Sequence, residues 1–404
     1  MRASSLSLSA VVLIGAGLSH AQALVNGSGG GVRIFPSDMA VLEAGEERKD
    51  LPCAVVESKP VLGFDLRYHT GYEVSLPLKE LAGSENLLTL LFRVTPTEPA
   101  GETLYFTQRI KVPTIEEDSK GDAYLQGGFD VGEGKYKVEW LMRDRTERVC
   151  AAQWSLEAAL PEKDKQIQLA LRTGEIRASD REQFREEPPV ARSSEEPPLN
   201  VKMLINFAPQ NAKSSTLQPL DTSALVSILR NISRDPRIGR FTIVAFNLHE
   251  QRVLYRQDGA EKIDFPAIGG ALDSLNLGTI DVARLGQKNG DTEFLANLIR
   301  QEAGAAADTP DAMVFAGPKA LLEENIPQES LKEIGELNYP VFYMNYNLYP
   351  QNTPWNDTIS KAVKFLKGQE YTISRPRDLW YAVTEMVSRI AKWKQGRRSG
   401  TSSE

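Results

Sequence analysis

Polar residues follow several apolar runs in the second half of this 404-residue chain, at positions where side chains could bind a ligand. These stretches are residues 206–210, 290–292, 316–318 and 345–357. If the apolar runs are parallel strands, the stretches meet at the carboxyl edge of one sheet, where such sheets bind ligands. Asn206, Gln210 and Thr292 carry neutral amides or a hydroxyl there, which can donate and accept hydrogen bonds. We predict that these three side chains take part in binding.

Aromatic and amide residues alternate in the last of these stretches. Tyr346, Tyr349 and Trp355 are rigid side chains that supply contact area at low entropic cost, as protein interaction surfaces require. We predict an interaction surface at these three residues. The alternative is that Tyr343 belongs to the core of a strand and that Trp355 packs against the next helix.

Enzyme chemistry finds little support in the residue pattern. Outside the first 23 residues the histidines are His69 and His249, and neither lies in a recognisable nucleophile motif. The pair Gly269-Gly270 lies far downstream of the first strand, so no glycine-rich phosphate loop is present. Asp291 and Asp357 could offer carboxylates to a rearranged metal site, but loop aspartates are common without a function. We therefore predict no enzyme and no cofactor, and an envelope hydrolase that uses carboxylates remains an alternative.

The spacing of apolar residues predicts two domains. Residues 32–160 show short alternating runs bounded by turn residues, which is typical of an all-β, immunoglobulin-like sandwich. Residues 161–199 are charged and contain two Pro-Pro steps, which predicts a linker. Residues 200–394 alternate between strand and helix patterns, which predicts an α/β, doubly wound, mostly parallel and Rossmann-like sheet.

The ends of the chain predict export. Arg2 and the apolar run 6–18 precede Ala21-Gln22-Ala23, a pattern that signal peptidase accepts, so we expect a signal peptide over residues 1–23. A membrane anchor is the alternative, but a span needs about 20 apolar residues. Residues 24–31 are predicted to be a flexible lead-in and residues 395–404 a disordered tail. The mature protein is thus expected in the periplasm or outside a bacterial cell, without a membrane span.

Composition and charge narrow the possible partners. Hydrophobic residues make up 41% of the chain and charged residues 25%, which excludes wholesale disorder. The net charge is −7, which argues against nucleic acid because phosphate contacts need clustered Lys and Arg. Cys53 and Cys150 are the two cysteines, and an even number in an exported protein favours a disulfide. Two buried thiols are the alternative.

Residues 200–394 resemble a von Willebrand factor A domain, in the exported version common in acidobacteria. The resemblance rests on the order of elements, on the hairpin at residues 244–254, on the helix opening at 290–295 and on the segment 371–379 near the end. It implies a metal-ion-dependent adhesion site. The family forms that site from a D-x-S-x-S sequence after the first strand, a Thr on a second loop and an Asp after the fourth strand.

That site is degenerate in this chain. The matching first positions read Asn206, Ala208 and Gln210, residues 316–318 include no carboxylate, and Thr292 alone is retained. Hard divalent cations need oxygen ligands of sufficient charge, so we expect no metal. The sequence therefore predicts a non-catalytic interaction or scaffold module that binds another protein or an envelope component. A metal-dependent adhesion module with altered ligands is the alternative.

Overall fold

The chain divides into two compact units, residues 1–180 and 181–404. The division falls within the segment predicted to be a linker, and each unit is described by itself. The computed structural model describes residues 23–25, 35–45, 48–83, 85–179, 182–192, 198–210, 214, 216–275, 289–304, 309–322, 324–348 and 356–401.

The first unit is a sandwich-like arrangement of two antiparallel sheets. Its described strands are β1 (Ala23–Val25), β2 (Arg48–Lys49), β3 (Ala54–Leu62), β4 (Tyr68–Pro77), β5 (Asn86–Glu98), β6 (Leu104–Val112), β7 (Asp122–Val131), β8 (Gly134–Arg143), β9 (Val149–Ala158) and β10 (Ile176–Ala178). Helix α1 (Pro36–Ala44) and two short 3-10 helices, Leu78–Leu81 and Glu162–Asp164, accompany them. One sheet has the order β1-β6-β5-β8-β9-β2 and the other β10-β7-β4-β3.

Aromatic side chains join the two sheets of the first unit. Tyr72 on β4 packs against Trp140 on β8, with ring centroids 5.3 Å apart. Phe129 on β7 lies 5.8 Å from Phe92 on β5, and all four side chains are buried. Such pairs contribute about 0.5–1.5 kcal/mol each beyond the area they bury. The alternating pattern of the sequence thus produces an apolar layer between the sheets.

The predicted disulfide is confirmed. Cys53 and Cys150 are bonded, with Cα atoms 6.3 Å apart and a separation of 97 positions in sequence. The bond joins the segment before β3 to β9, so it links one sheet to the other. On the chain-entropy model a loop of this length corresponds to about 4–5 kcal/mol of stabilisation.

The second unit is built on one mixed sheet. Its described strands are β11 (Leu199–Asn206), β12 (Ile238–Asn247), β13 (Arg252–Ala260), β14 (Ala312–Pro318), β15 (Val341–Tyr346) and β16 (Gln369–Ile373). The sheet order is β13-β12-β11-β14-β15-β16. The pairing of β12 with β13 is antiparallel, and the other four pairings are parallel.

Helices follow several of these strands. They are α2 (Pro219–Ser233), α3 (Phe265–Leu272), α4 (Gly290–Gly304), α5 (Gln328–Lys332), α6 (Thr358–Phe365) and α7 (Pro376–Thr401). Leu225, Leu229 and Ile232 lie on one face of α2 and are buried, as their helical spacing predicts. Helix α7 continues to Thr401, into the residues predicted to be a disordered tail. No helix in the described ranges is long and apolar enough to cross a membrane.

The predicted fold class is wrong for this chain. The prediction was an immunoglobulin-like sandwich followed by a Rossmann-like sheet of the von Willebrand factor A type. The described strands form two antiparallel sheets, of six and four strands, and one mixed sheet in which β12 and β13 are antiparallel, so the second unit is not a Rossmann-like domain. The physical reason is that apolar periodicity indicates where strands lie, whereas strand partners are set by contacts distant in sequence.

Residues 182–192 are called the strap below. They pack against the rest of the second unit, although their composition predicts a linker. Glu187 lies between Arg230 and Arg234, with an N–O distance of 2.8 Å to each. Arg192 donates hydrogen bonds to the backbone carbonyls of Ser233, Asp235 and Glu261. Charge-assisted bonds of this kind can hold a segment that has little apolar surface to bury.

Candidate functional site

Two asparagines and a glycine form a row across the carboxyl edge of the mixed sheet. Asn206 lies one residue beyond the Ile205–Ala316 pair, and Gly317 pairs with Asn345 on the next strand. Gly317 has a φ of 158°, and a Cβ there would lie 2.9 Å from the Cβ of Asn206. Glycine at this position therefore makes room for the Asn206 side chain.

The two asparagines of the row are fully buried and only partly hydrogen-bonded. Asn206 Oδ1 accepts a bond from the Leu248 amide at 3.2 Å, and Asn345 Nδ2 donates to Glu370 at 2.8 Å. Within the described part of the chain, Asn206 Nδ2 and Asn345 Oδ1 have no partner. A buried polar atom without a partner costs about 1–3 kcal/mol, so the row is less stable than an apolar one.

Gln210 and Tyr346 are held by backbone groups at the same edge. Gln210 Oε1 accepts a bond from the Leu348 amide at 2.9 Å, which ties the loop after β11 to the loop after β15. Tyr346 is 1% exposed, and its hydroxyl donates to the Ala208 carbonyl at 3.4 Å. Tyr346 is thus part of the strand core, and not of an exposed aromatic patch. Tyr349 and Trp355 lie outside the described residues.

Thr292 is buried near the start of α4. Its hydroxyl donates to the Glu324 carbonyl at 3.1 Å, and its amide donates to Asp291 at 2.8 Å. The hydroxyl bond fixes the helix start to a loop 32 positions away in sequence. Asn206, Gln210 and Tyr346 therefore share the β11 and β15 side of the edge, whereas Thr292 is bonded to the 324 loop.

Two buried aspartates lie at helix starts on the same edge. Asp357 caps α6 by accepting a bond from the Ile359 amide, and it also accepts one from the Ala320 amide in the loop after β14. Burial raises the pKa of Asp357 to about 6, although hydrogen bonds from the Ala320 amide, the Tyr343 hydroxyl and the Ser360 amide lower it. Burial also raises the pKa of Asp221 at the start of α2. The apolar surroundings of Asp221 come from residues distant in sequence, so no local pattern indicates this shift.

Exposed apolar side chains surround this edge. Leu220 at the start of α2 is 43% exposed, Leu321 after β14 is 55% exposed, and Val253 at the β12–β13 hairpin is 39% exposed. Each follows the carboxyl end of a strand. The exposure of these residues could not be predicted from the sequence, because an apolar residue beside a strand or helix pattern is normally interpreted as core.

The first unit holds a different cluster, at the start of β4. His69 Nδ1 lies 2.7 Å from Asp130, and Nε2 lies 2.9 Å from Asp65. Burial lowers the pKa of His69, but hydrogen bonds and charge from the two aspartates outweigh it and raise the pKa to about 10. Arg67 adds a second cation, 3.5 Å from Asp130.

The three side chains of this cluster have the composition of a metal site. A metal ion would have to displace the proton that both carboxylates stabilise, and it would face the Arg67 charge. The arrangement therefore fits a structural ion cluster better than a metal centre.

No family model matches the chain, and no curated protein matches it. The PilB minor pilin from Streptococcus sanguinis is 9% identical, over 77% of this chain and 88% of the pilin, with a TM-score of 0.27. The β-glucuronidase from Bacteroides uniformis is 11% identical over 78% of this chain, with a TM-score of 0.18, and this chain spans 38% of that enzyme.

A structural genomics target, SoR45, is 11% identical over 29% of this chain and 96% of the target, with a TM-score of 0.18. Similarity at this level supports no functional argument. None of these structures is described as a von Willebrand factor A domain, and that resemblance stays a prediction.

Proposed function

We propose that the chain is an exported, non-catalytic protein-binding module, and that its second unit binds a protein through the carboxyl edge of the mixed sheet. The observation that carries the proposal is the exposure of Leu220, Val253 and Leu321 around that edge. Exposed apolar side chains beside polar groups are typical of protein contact surfaces.

The hydrogen bonds at the edge favour binding over catalysis. Gln210 and Thr292 use their side chains to hold the protein's own loops, so these groups are committed to structure. Asp221 and Asp357 are buried, and Asp357 is occupied by two backbone amides. The disulfide is compatible with an exported protein, because such bonds persist in oxidising compartments.

Photocrosslinking with the full chain tests this proposal. A photoreactive amino acid at Leu321 is irradiated in the presence of envelope and secreted proteins, and the crosslinked partner is identified and purified. Truncating a central apolar contact typically costs about 2 kcal/mol or more, so we expect Leu220→Asp with Leu321→Asp to weaken partner binding by at least about tenfold.

Phe365→Asp is the matched control. Phe365 is 37% exposed at the end of α6, on the opposite edge of the sheet, so its replacement should leave binding unchanged. Equal loss of binding in both variants would contradict the choice of edge. Turnover of a hydrolase substrate that persists through purification would contradict the non-catalytic assignment. Saturable binding of Mg²⁺, Mn²⁺ or Ca²⁺ by calorimetry would favour the altered adhesion module.

A further inference from the structure

Strand β3 leaves apolar side chains in water at a free sheet edge. It pairs with β4 alone in the sheet order β10-β7-β4-β3 of the described strands. None of its nine side chains is buried, whereas β4 buries six of ten. Val56 is 59% exposed and Val61 is 64% exposed. A long edge with exposed apolar side chains is a template for pairing with another strand.

The residue order in β3 is self-complementary about Ser58. The strand reads Ala54-Val55-Val56-Glu57-Ser58-Lys59-Pro60-Val61-Leu62. In an antiparallel pair of two copies centred on Ser58, Glu57 of each copy lies opposite Lys59 of the other. Opposite charges across strands are stabilising.

We propose that β3 of one copy pairs antiparallel with β3 of a second copy, about a two-fold axis at Ser58. The four-stranded sheets of the two copies then form one continuous sheet. Such an interface is isologous, because the same surface meets itself, and it closes at two copies. The proposal concerns the first unit and is independent of the carboxyl edge of the mixed sheet.

Charge restricts the pairing to this register. A two-fold axis at Glu57 would place the two Glu57 carboxylates opposite each other, and an axis at Lys59 would do the same to the two ammonium groups. Like charges directly opposite are destabilising. Pro60 and the register shift between Ser58 and Val61 interrupt the ladder after Ser58, which opposes open-ended aggregation and confines the pairing to residues near Ser58.

A cysteine crosslink tests the axis in the full chain. Opposed residues of an antiparallel pair have Cα atoms about 4.5–5.5 Å apart, which is within disulfide range. We expect Ser58→Cys to form a covalent dimer at least about tenfold faster than a collision-limited cysteine, since pairing raises the effective concentration. Ser155→Cys is the control, because Ser155 is exposed on β9 of the other sheet.

Peptide mapping must show that the crosslink joins the introduced cysteine of one copy to the same position of the other, and that the Cys53–Cys150 bond stays intact. Equal crosslinking rates for Ser58→Cys and Ser155→Cys would overturn the proposal. Crosslinking to other proteins in preference to a second copy would also overturn it.

A charge exchange tests the register without a covalent bond. We expect Glu57→Lys to raise the dimer dissociation constant by about tenfold, because two favourable pairs become repulsive. Glu57→Lys combined with Lys59→Glu should restore the original value, since each pair is recovered with its charges reversed. Sedimentation equilibrium at low salt measures both. A monomeric unmodified protein at all concentrations, or a double variant as weak as the single one, would overturn the proposal.

Discussion

The pKa values of two buried carboxyls, one in each unit, are shifted in opposite directions. In the sandwich, burial would raise the pKa of Asp65, but the neighbouring His69 and Arg67 outweigh burial and lower it. In the mixed-sheet unit, burial raises the pKa of Asp357 to about 6, and no ion pair involves Asp357 among the described residues. A neighbouring cation, and not burial alone, therefore decides whether a buried acid stays charged.

The second unit is able to pair buried charge elsewhere. Glu302 on α4 is 2% exposed and contacts both Lys202 on β11 and Arg256 on β13. This ion cluster lies at the carboxyl end of α4, away from the carboxyl edge of the sheet. Among the described residues, Asp221 and Asp357 take part in no ion pair, in contrast to Glu302. Such local departures from full satisfaction are typical of functional positions.

The largest loss of stability is expected when the carboxylate of Glu302, which pairs with Lys202 and Arg256, is removed. Glu302→Gln leaves Lys202 and Arg256 without an anionic partner at this position, and we expect a loss of about 3–5 kcal/mol in the free energy of unfolding. Denaturant unfolding of the full chain measures it. Glu333→Gln is the control, because Glu333 pairs with Arg300 in solvent and should cost under about 1 kcal/mol. A loss at Glu302 no larger than at Glu333 would remove the contrast between paired and unpaired charge.

Asp357→Asn tests the buried carboxylate that has no paired cation. The folded pKa of about 6 lies above the ordinary value of 3.8. The Asp357 carboxyl therefore makes its full contribution to the free energy of unfolding below pH 3.8, and this contribution is lost as the pH rises through 6. A pKa difference of one corresponds to about 1.4 kcal/mol, so we expect the variant to gain roughly 2 kcal/mol over the original protein at pH 8 and little at pH 4.

Asp264→Asn is the matched control for this substitution. Asp264 caps α3 with a bond to the Ala267 amide at 2.9 Å, but it is exposed. Asparagine is an equally good capping residue, so Asp264→Asn should change the unfolding free energy little at either pH. A gain at Asp357 that does not depend on pH would show that the charge of that carboxyl is unimportant.

His69→Gln tests the sandwich cluster through its pH dependence. The folded pKa of about 10 lies above the ordinary 6.5, so the stabilisation is complete below pH 6.5 and disappears as pH rises to 10. We expect the original sandwich to lose stability over this range and the variant to lose less. The His69 side chain is 43% exposed, so solvent screening makes the effect smaller than at Asp357.

His249→Gln provides the contrast for His69, because burial lowers the pKa of His249. Thermal unfolding between pH 6 and 10 measures both variants. Identical pH profiles for His69→Gln and the original protein would mean that the imidazolium contributes nothing to the cluster.

The smallest expected effect concerns the strap, whose attachment combines charge with apolar contact. A Cβ at Gly269 would lie 2.7 Å from Cγ of Phe184, whereas a Cβ at Gly270 would meet no atom within 4 Å. We expect Gly269→Ala to destabilise the unit by about 1 kcal/mol or more through overpacking. Gly270→Ala should stabilise it by up to about 1 kcal/mol, because alanine favours the helix. If both variants changed the free energy of unfolding in the same direction, Phe184 would not be packed tightly against α3.

The positions of many elements and the disulfide followed from the sequence. The alternating strand and helix patterns of residues 200–394 predicted elements that the structure has, such as β11 and α2, and two cysteines in a chain with a predicted signal peptide favoured the bond that is present. These predictions succeed because side-chain periodicity and cysteine number are local or compositional properties. The sequence also indicated Asn206, Gln210 and Thr292 as polar residues beside strands, but not which groups they bind.

Only the tertiary structure decided the partners. The sheet pairings, the bond from Thr292 to Glu324, the burial of Tyr346 and the charges around His69 all join residues far apart in the chain. Gly317 shows the reason most directly, since its lack of a side chain matters only because Asn206 lies beside it in the sheet. The sequence by itself determined the elements and the polar residues at their ends. Their environments depend on packing between distant segments, which no local pattern contains.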